Sequence, residues 1–168
     1  MPKPVPPRHT PEQIARAYWY DEDTGYVWKR EPRRGNGLVV GAISTYQGAS
    51  YQTCRLAWCL WYGEWPPLDR YVDHKDGCHH NDKINNLRLA TASENNCNVA
   101  GRGRYAKGVS FKNKYPNRPW VANITRDGRK IHIGNYATEA EAADAFRRMA
   151  EHYQGEFAHH NRPIRRRI

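Results

Sequence analysis

The segment 71–98, YVDHKDGCHHNDKINNLRLATASENNCN, concentrates the residue types that phosphodiester hydrolysis needs. The reaction requires a nucleophilic water, a base that deprotonates it, and positive charge beside the leaving oxygen. Asp73 and the side-chain oxygen of Asn95 are hard oxygen donors, which suit Mg²⁺ or Mn²⁺. A histidine is largely neutral at pH 7 and can accept a proton, which makes His74 a candidate base. These side chains predict a metal-assisted hydrolytic site.

A strand, a polar loop, a second strand and a short helix must position these residues. Residues 71–74 and 87–90 have the composition of strands, and Thr91 or Ser93 can cap the helix that holds Asn95. Because successive strand residues face opposite ways, the first strand must bend at its end for Asp73 and His74 to serve one site.

The loop between the strands also contains Cys78, His79 and His80. A structural zinc site needs about four converging nitrogen or sulfur ligands, and adjacent residues of a flexible loop seldom converge. Zinc is therefore not expected. The four cysteines form no CxxC pair, so we expect free thiols in a reducing cytosol.

The pattern D-H-x-D-G, followed by N-N-L-R and by an asparagine in a short helix, resembles the HNH endonucleases. It is most similar to the homing endonucleases of phages and mobile introns, whose core is called ββα-metal. The resemblance implies an endonuclease with His74 as general base and with Asp73 and Asn95 as ligands of one Mg²⁺ or Mn²⁺ ion. It also implies that Asn86 holds the loop in shape and that Arg88 faces a phosphate.

The resemblance further implies that Asp76 and Gly77 shape the turn, and that one HNH copy cuts one strand per visit. A monomeric enzyme is then expected to nick DNA, and a double-strand break needs a homodimer or two successive binding events. The competing hypothesis is a DNA-binding regulator whose nuclease half has decayed. The residues of the motif are all intact, which argues against decay: Asp73, His74, Asn86 and Asn95. No signature of RNA binding is present.

The charge of the chain favours a polyanionic partner. Its 168 residues carry 27 Lys and Arg against 17 acidic residues, a formal net charge of +10. Basic side chains gain free energy from the counterions that nucleic acid releases, so double-stranded DNA is the expected partner. No segment approaches the ~20 apolar residues of a membrane span, and the N-terminus lacks a signal-peptide core. An intracellular protein without a membrane partner is expected.

The N-terminal part, residues 11–100, is predicted to be the nuclease domain. A proline-rich lead over 1–10 is expected to be disordered, and Thr10 with Gln13 forms a capping-box pattern for a short helix. Hairpins are predicted over 19–29 and over 42–53, where the second hairpin turns near Gln47 and Gly48. A buried helix is predicted for Arg55–Tyr62, ended by Gly63.

A second domain is predicted over 105–161, after a flexible basic link at 101–104 and before a basic tail at 162–168. Three strand-like segments span 107–112, 120–125 and 129–134, with a hairpin turn at Asp127 and Gly128. A helix capped by Thr138 and Glu141 follows, with one continuous apolar stripe. The expected fold class is α+β: a ββα-metal core preceded by β-hairpins, plus a small three-stranded antiparallel sheet packed on one helix.

The second domain resembles the plant ethylene-response-factor (Apetala-type) DNA-binding domain. The matching landmarks include Lys107-Gly108-Val109, Trp120-Val121-Ala122 and Ile133-Gly134. In that family the sheet lies in the major groove, and the matching positions are Lys107, Ser110, Lys112, Asn123, Thr125, Lys130 and His132. Phosphate contacts are expected from Lys112, Arg126, Arg129 and Lys130. The alternative is a sheet face that is only solvated.

Overall fold

The computed structural model describes residues 6–31, 37–39, 43–99, 104–126 and 128–158. Contacts between Cα atoms divide the chain into two units, Met1–Ala92 and Ser93–Ile168. The α+β fold class is confirmed by three two-stranded antiparallel hairpins and one three-stranded antiparallel sheet, interspersed with helices. The predicted domain boundaries stay predictions. Residues 1–5 of the lead, 101–103 of the link, Asp127 and the tail at 162–168 lie outside the described residues.

The first unit alternates short helices with hairpins. Its elements are α1 (Pro11–Ala17), β1 (Tyr18–Asp21), β2 (Tyr26–Lys29), β3 (Ile43–Tyr46), β4 (Ala49–Gln52), α2 (Thr53–Tyr62), β5 (Tyr71–His74) and β6 (Leu87–Ala90). Each hairpin pairs two consecutive strands, and a 3₁₀ turn at Ile84–Asn86 leads into β6. The predicted capping box is confirmed, because the Thr10 hydroxyl accepts from Gln13 N while Gln13 Oε1 accepts from Thr10 N.

Helix α2 lies at the centre of the first unit. The helix contributes Leu56, Ala57 and Cys59 to the buried core, where they cluster with Ile14 of α1 and Val27 of β2. The helix begins two residues earlier than predicted and ends at Gly63, whose φ of 72° allows the left-handed conformation that closes a helix.

The segment that leads into β5 is anchored on the same helix. Arg55 Nη2 donates to Pro66 O at 3.1 Å and Arg55 Nη1 donates to Arg70 O at 3.4 Å. The Arg55 guanidinium therefore donates to carbonyls of a segment that has no regular structure and so lacks backbone partners for them. These contacts fix the entry of the β5–β6 hairpin relative to the core.

Helix α3 (Ala92–Cys97) begins immediately after Thr91, so Thr91 occupies the capping position and Ser93 lies inside the helix. The second unit then contains β7 (Val109–Phe111), β8 (Trp120–Arg126), β9 (Arg129–Tyr136) and α4 (Glu139–Gln154). The three strands pair in the order β7-β8-β9, and the pairing of β8 with β9 ends at Arg126 and Arg129. No helix among the described residues is long and apolar enough to cross a membrane.

Helix α4 covers one face of the three-stranded sheet. Its buried residues Ala142, Ala145 and Ala150 lie along the predicted apolar stripe. Strand β7 is shorter than predicted, and its start follows Gly108, whose φ of 74° lies outside the extended region. A Cβ at Gly108 would lie 2.1 Å from Phe146 Cδ2, so glycine is required for the close approach of the turn to α4.

Candidate functional site

The β5–β6 hairpin positions the residues that were predicted to do chemistry. Its antiparallel register pairs Asp73 with Arg88 and His74 with Leu87. The pairing is regular up to His74, and the turn begins directly afterwards, where Gly77 N donates to His74 O at 2.7 Å. Asp73 and His74 have different hydrogen-bond partners, as the alternation along a strand predicts. Because the pairing is regular, the bend that one shared site requires can only lie at His74 itself, where the turn begins, and the shared site stays a prediction.

His74 is paired with Asp82, a residue that the sequence did not indicate. His74 Nε2 and Asp82 Oδ1 lie 2.7 Å apart, and each side chain is only 8% exposed. Asp82 reaches the imidazole from the loop that precedes the 3₁₀ turn. The contact is therefore a buried carboxylate–imidazole hydrogen bond.

The Cys54 thiol of α2 completes a small cluster with these two groups. One potential ligand atom from each of Cys54, His74 and Asp82 lies within 4.8 Å of the others, and among the described residues they form the group that could hold a metal ion. Burial raises the pKa of Cys54 to about 12, so its thiol stays protonated at neutral pH. Because a cysteine binds metal as its thiolate, the cluster fits a hard cation such as Mg²⁺ poorly.

Asp73 forms a buried ion pair with Arg88. The Nε and Nη2 atoms of Arg88 both lie 2.9 Å from Asp73 Oδ2, and the side chains are 6% and 9% exposed for Asp73 and Arg88 respectively. The resemblance had implied that Arg88 faces a phosphate, whereas its guanidinium is directed across the hairpin because the register places it opposite Asp73. A carboxylate has about four lone-pair sites, so holding Arg88 through Oδ2 is compatible with binding a cation through Oδ1.

Asn86 makes the contacts of a residue that shapes the loop. Its Oδ1 accepts from Asp76 N at 3.1 Å, while its Nδ2 donates to Asp76 Oδ1 at 3.0 Å and to Asn81 O at 2.8 Å. Burial pushes the pKa of Asp76 upward, but hydrogen bonds from Asn81, Cys78 and Asn86 outweigh it, and the pKa is lowered. Asp76 is therefore a stabilising anion within the loop.

Asn95, the second predicted metal ligand, lies on α3. The helix starts in the first unit and continues in the second, to which Asn95 belongs. Its role as a ligand stays a prediction.

The outer face of the three-stranded sheet, opposite α4, carries several of the residues predicted to contact DNA. The pairs Asn123↔His132 and Thr125↔Lys130 alternate with the helix-facing residues of β8 and β9, so all four side chains share this face. A shallow concavity of about 370 Å³ lies on it, lined by Ser110, Lys112, Lys114, Tyr115, Val121, Asn123, Lys130 and His132.

Three other predicted contacts are oriented differently. The Arg126 guanidinium lies 4.7 Å from the centre of the Tyr153 ring of α4, on the helix side of the sheet. Arg129 pairs with Arg126 and so shares that side. The ammonium of Lys107 donates to the carbonyls of Cys97 and Val99 beside the end of α3. We assign these three residues no place on the outer face.

Sequence reasoning missed Asp82 and the tyrosine that holds its loop. Tyr20 OH donates to Asp82 O at 3.0 Å and accepts from Ile84 N at 2.9 Å. An aspartate in a polar loop is usually solvated, and a tyrosine 62 residues away carries no spacing signal. These contacts arise only in the tertiary structure.

Comparison with known proteins supports the resemblance for the first part of the chain. Residues 51–97 match the family model described as HNH endonuclease. Over 96 residues the chain is 38% identical to an uncharacterized HNH endonuclease of Acanthamoeba polyphaga mimivirus. The aligned stretch makes up 57% of this chain and 49% of that protein. The chain thus spans about half the length of the curated relative it matches. No solved structure matches it.

Proposed function

We propose that this protein is a DNA endonuclease that hydrolyses phosphodiester bonds with one bound divalent cation, Mg²⁺ or Mn²⁺. The observation that supports this most directly is the β5–β6 hairpin, which buries Asp73 and His74 at consecutive positions within the stretch that matches HNH endonuclease. A site-specific enzyme of the homing type, as found in phages and introns, is the finer form of the proposal.

In this proposal His74 acts as the general base that takes the proton from the attacking water. Asp73 provides an anionic oxygen for the cation, while Arg88 holds that carboxylate in place from the opposite strand. The resemblance adds Asn95 as a second oxygen donor. A bound divalent cation would supply the positive charge that stabilises the phosphorane-like transition state and the leaving oxygen. Asn86 keeps the intervening loop in the shape that these residues require.

We further propose that the outer face of the three-stranded sheet binds duplex DNA. Lys112 and Lys130 line its concavity and supply positive charge for phosphates, and Asn123 and His132 supply donors and acceptors for base edges. His132 Nδ1 and Asn123 Oδ1 are 3.4 Å apart, so the two side chains are held near each other on neighbouring strands. This arrangement is compatible with the Apetala-type resemblance.

Cleavage of supercoiled plasmid by the full chain tests the nuclease. We expect metal-dependent nicking that requires Mg²⁺ or Mn²⁺ and that falls by a factor on the order of 10²–10⁴ in His74→Ala. The matched control is His80→Ala, a change at an exposed histidine of the same loop. Absence of cleavage with every divalent cation, together with retained DNA binding, would favour the regulator hypothesis.

Salt-dependent DNA binding tests the sheet separately. Removing one phosphate contact should reduce the slope of log K against log salt by about 1, so we expect Lys130→Ala and Lys112→Ala each to do so. Arg129→Ala, one position along the same strand but on the other face, is the control. Equal effects of Lys130→Ala and Arg129→Ala would contradict the assignment of the outer face.

A further inference from the structure

We propose that Asp82 is the positioning residue of the active site: it orients the His74 imidazole and is itself held by Tyr20 of the β1–β2 hairpin. The inference rests on the proposed nuclease function, in which His74 is the base. It assigns a role to the Asp82 carboxylate and to Tyr20. Neither residue belongs to the motif pattern or to the loop contacts of Asn86.

The geometry of the pair determines which imidazole nitrogen is basic. With the Asp82 carboxylate as the acceptor, the 2.7 Å contact requires the hydrogen of His74 to be on Nε2. Nδ1 then carries a lone pair that is directed away from Asp82, and Nδ1 is the atom that can take a proton. A proton taken at Nδ1 gives an imidazolium whose positive charge lies against the Asp82 carboxylate, which stabilises it.

Burial makes this interaction strong. Both side chains are 8% exposed, and the neighbouring Cys54 thiol stays neutral because burial raises its pKa. Within the cluster of Cys54, His74 and Asp82, the charge that faces the imidazole is therefore that of Asp82. Water screens such a pair far less than it screens an exposed one.

A separate element holds Asp82 in position. The Tyr20 hydroxyl bonds to the backbone on both sides of Lys83, through Asp82 O and Ile84 N, and so fixes two backbone groups of the loop. Burial raises the pKa of Tyr20, which keeps the hydroxyl protonated and able to donate.

The turn of the same hairpin packs against Lys83. A Cβ at Gly25 would lie 2.6 Å from Lys83 N, and the φ of Gly25 is 78°. The β1–β2 hairpin therefore supports the loop at two points, through the Tyr20 hydroxyl and through Gly25.

Kinetics and NMR of the full chain test the inference. We expect Asp82→Ala to lower kcat for plasmid nicking about 100-fold with little change in KM, because a misoriented base impairs the reaction step and leaves DNA binding intact. Asp82→Asn, whose amide oxygen can still accept from Nε2, should retain more activity than Asp82→Ala. Tyr20→Phe should lower kcat in the same direction by a smaller factor.

The NMR readout is independent of activity. In ¹⁵N-histidine-labelled protein without added metal, the His74 Nε2 hydrogen should give a resonance in slow exchange with water, assigned by its loss in His74→Ala. It should disappear in Asp82→Ala and broaden in Tyr20→Phe. The matched control is Tyr18→Phe, which removes a buried hydroxyl bonded to Ser44 at 2.9 Å and should leave both the resonance and kcat unchanged.

The outcomes separate the two proposals. A wild-type protein that cuts DNA while Asp82→Ala keeps full kcat and the resonance would overturn the role of Asp82. Equal losses in Tyr18→Phe and Tyr20→Phe would show general destabilisation and would overturn the role of Tyr20. A wild-type protein that cuts no DNA with any divalent cation would overturn the nuclease itself, leaving the Asp82–His74 contact as structural only.

Discussion

Replacement of Arg88 by methionine tests the energetics of the buried pair at the site. Two Arg88 nitrogens lie 2.9 Å from Asp73 Oδ2, and both side chains are more than nine-tenths buried. Removing one partner of a buried pair leaves a poorly solvated charge and costs about 3–5 kcal/mol. With a urea slope of about 2 kcal/mol/M, this corresponds to a midpoint lower by about 1.5–2.5 M.

Urea unfolding followed by tryptophan fluorescence measures the effect, because every tryptophan except Trp120 lies in the first unit. The matched control is Arg147→Met. Arg147 forms a pair with Asp144 at 2.7 Å that is about half exposed, and its loss should cost less than about 1 kcal/mol. Because Arg147 lies in the second unit, the unfolding of Arg147→Met is followed by circular dichroism as well.

The double variant with Asp73→Asn and Arg88→Met should recover most of the stability, since no unpaired charge remains buried at that position. If Asp73 also holds the divalent cation, Mg²⁺ should stabilise Arg88→Met and have no such effect on the double variant. A cost below 1 kcal/mol for Arg88→Met, equal to that of Arg147→Met, would refute the argument that burial makes this pair energetically important.

Three further predictions concern other parts of the molecule. Gly108→Ala should destabilise the second unit by about 1–3 kcal/mol, seen in thermal unfolding, because its Cβ would overlap Phe146. The lowered pKa of Asp76 contributes stability that is present above the unfolded-state pKa and lost as pH falls through the folded-state pKa. Asp76→Asn should remove this contribution, so the free energies of unfolding of the wild type and the variant should converge as acid is added. Cys54 and Cys59, whose pKa values burial raises to about 12, should resist alkylation at neutral pH until urea unfolds the chain, as mass spectrometry would show.

The local elements were largely predictable. The cap at Thr10 and the helix end at Gly63 appear as expected. Each depends on residues within about four positions of one another, where backbone conformation and hydrogen bonding are decided by neighbours. The shortening of β7 was not predicted, because the close approach of Gly108 to Phe146 of α4 is a tertiary contact that residue spacing does not indicate.

The direction of charged side chains was less predictable. Arg126 and Arg129 carry the same positive charge as Lys130, yet the register of β8 and β9 places them on the helix side of the sheet. The register irregularity between Ala122 and Asn123 determines which residues of β9 lie opposite β8, and a shift of one residue would exchange the two faces of β9. Composition predicts a basic sheet but not which basic residues share a face.

Sequence alone identified Asp73 and His74 as the chemically significant pair and placed them at the end of a strand, because residue type and short-range pattern are properties of the chain itself. The tertiary structure decided their partners. Arg88 meets Asp73 through strand register, and Asp82 meets His74 because the Tyr20 hydroxyl holds the loop. Contacts between segments far apart in the chain depend on packing, which spacing does not encode, and the orientation of the candidate base is one of them.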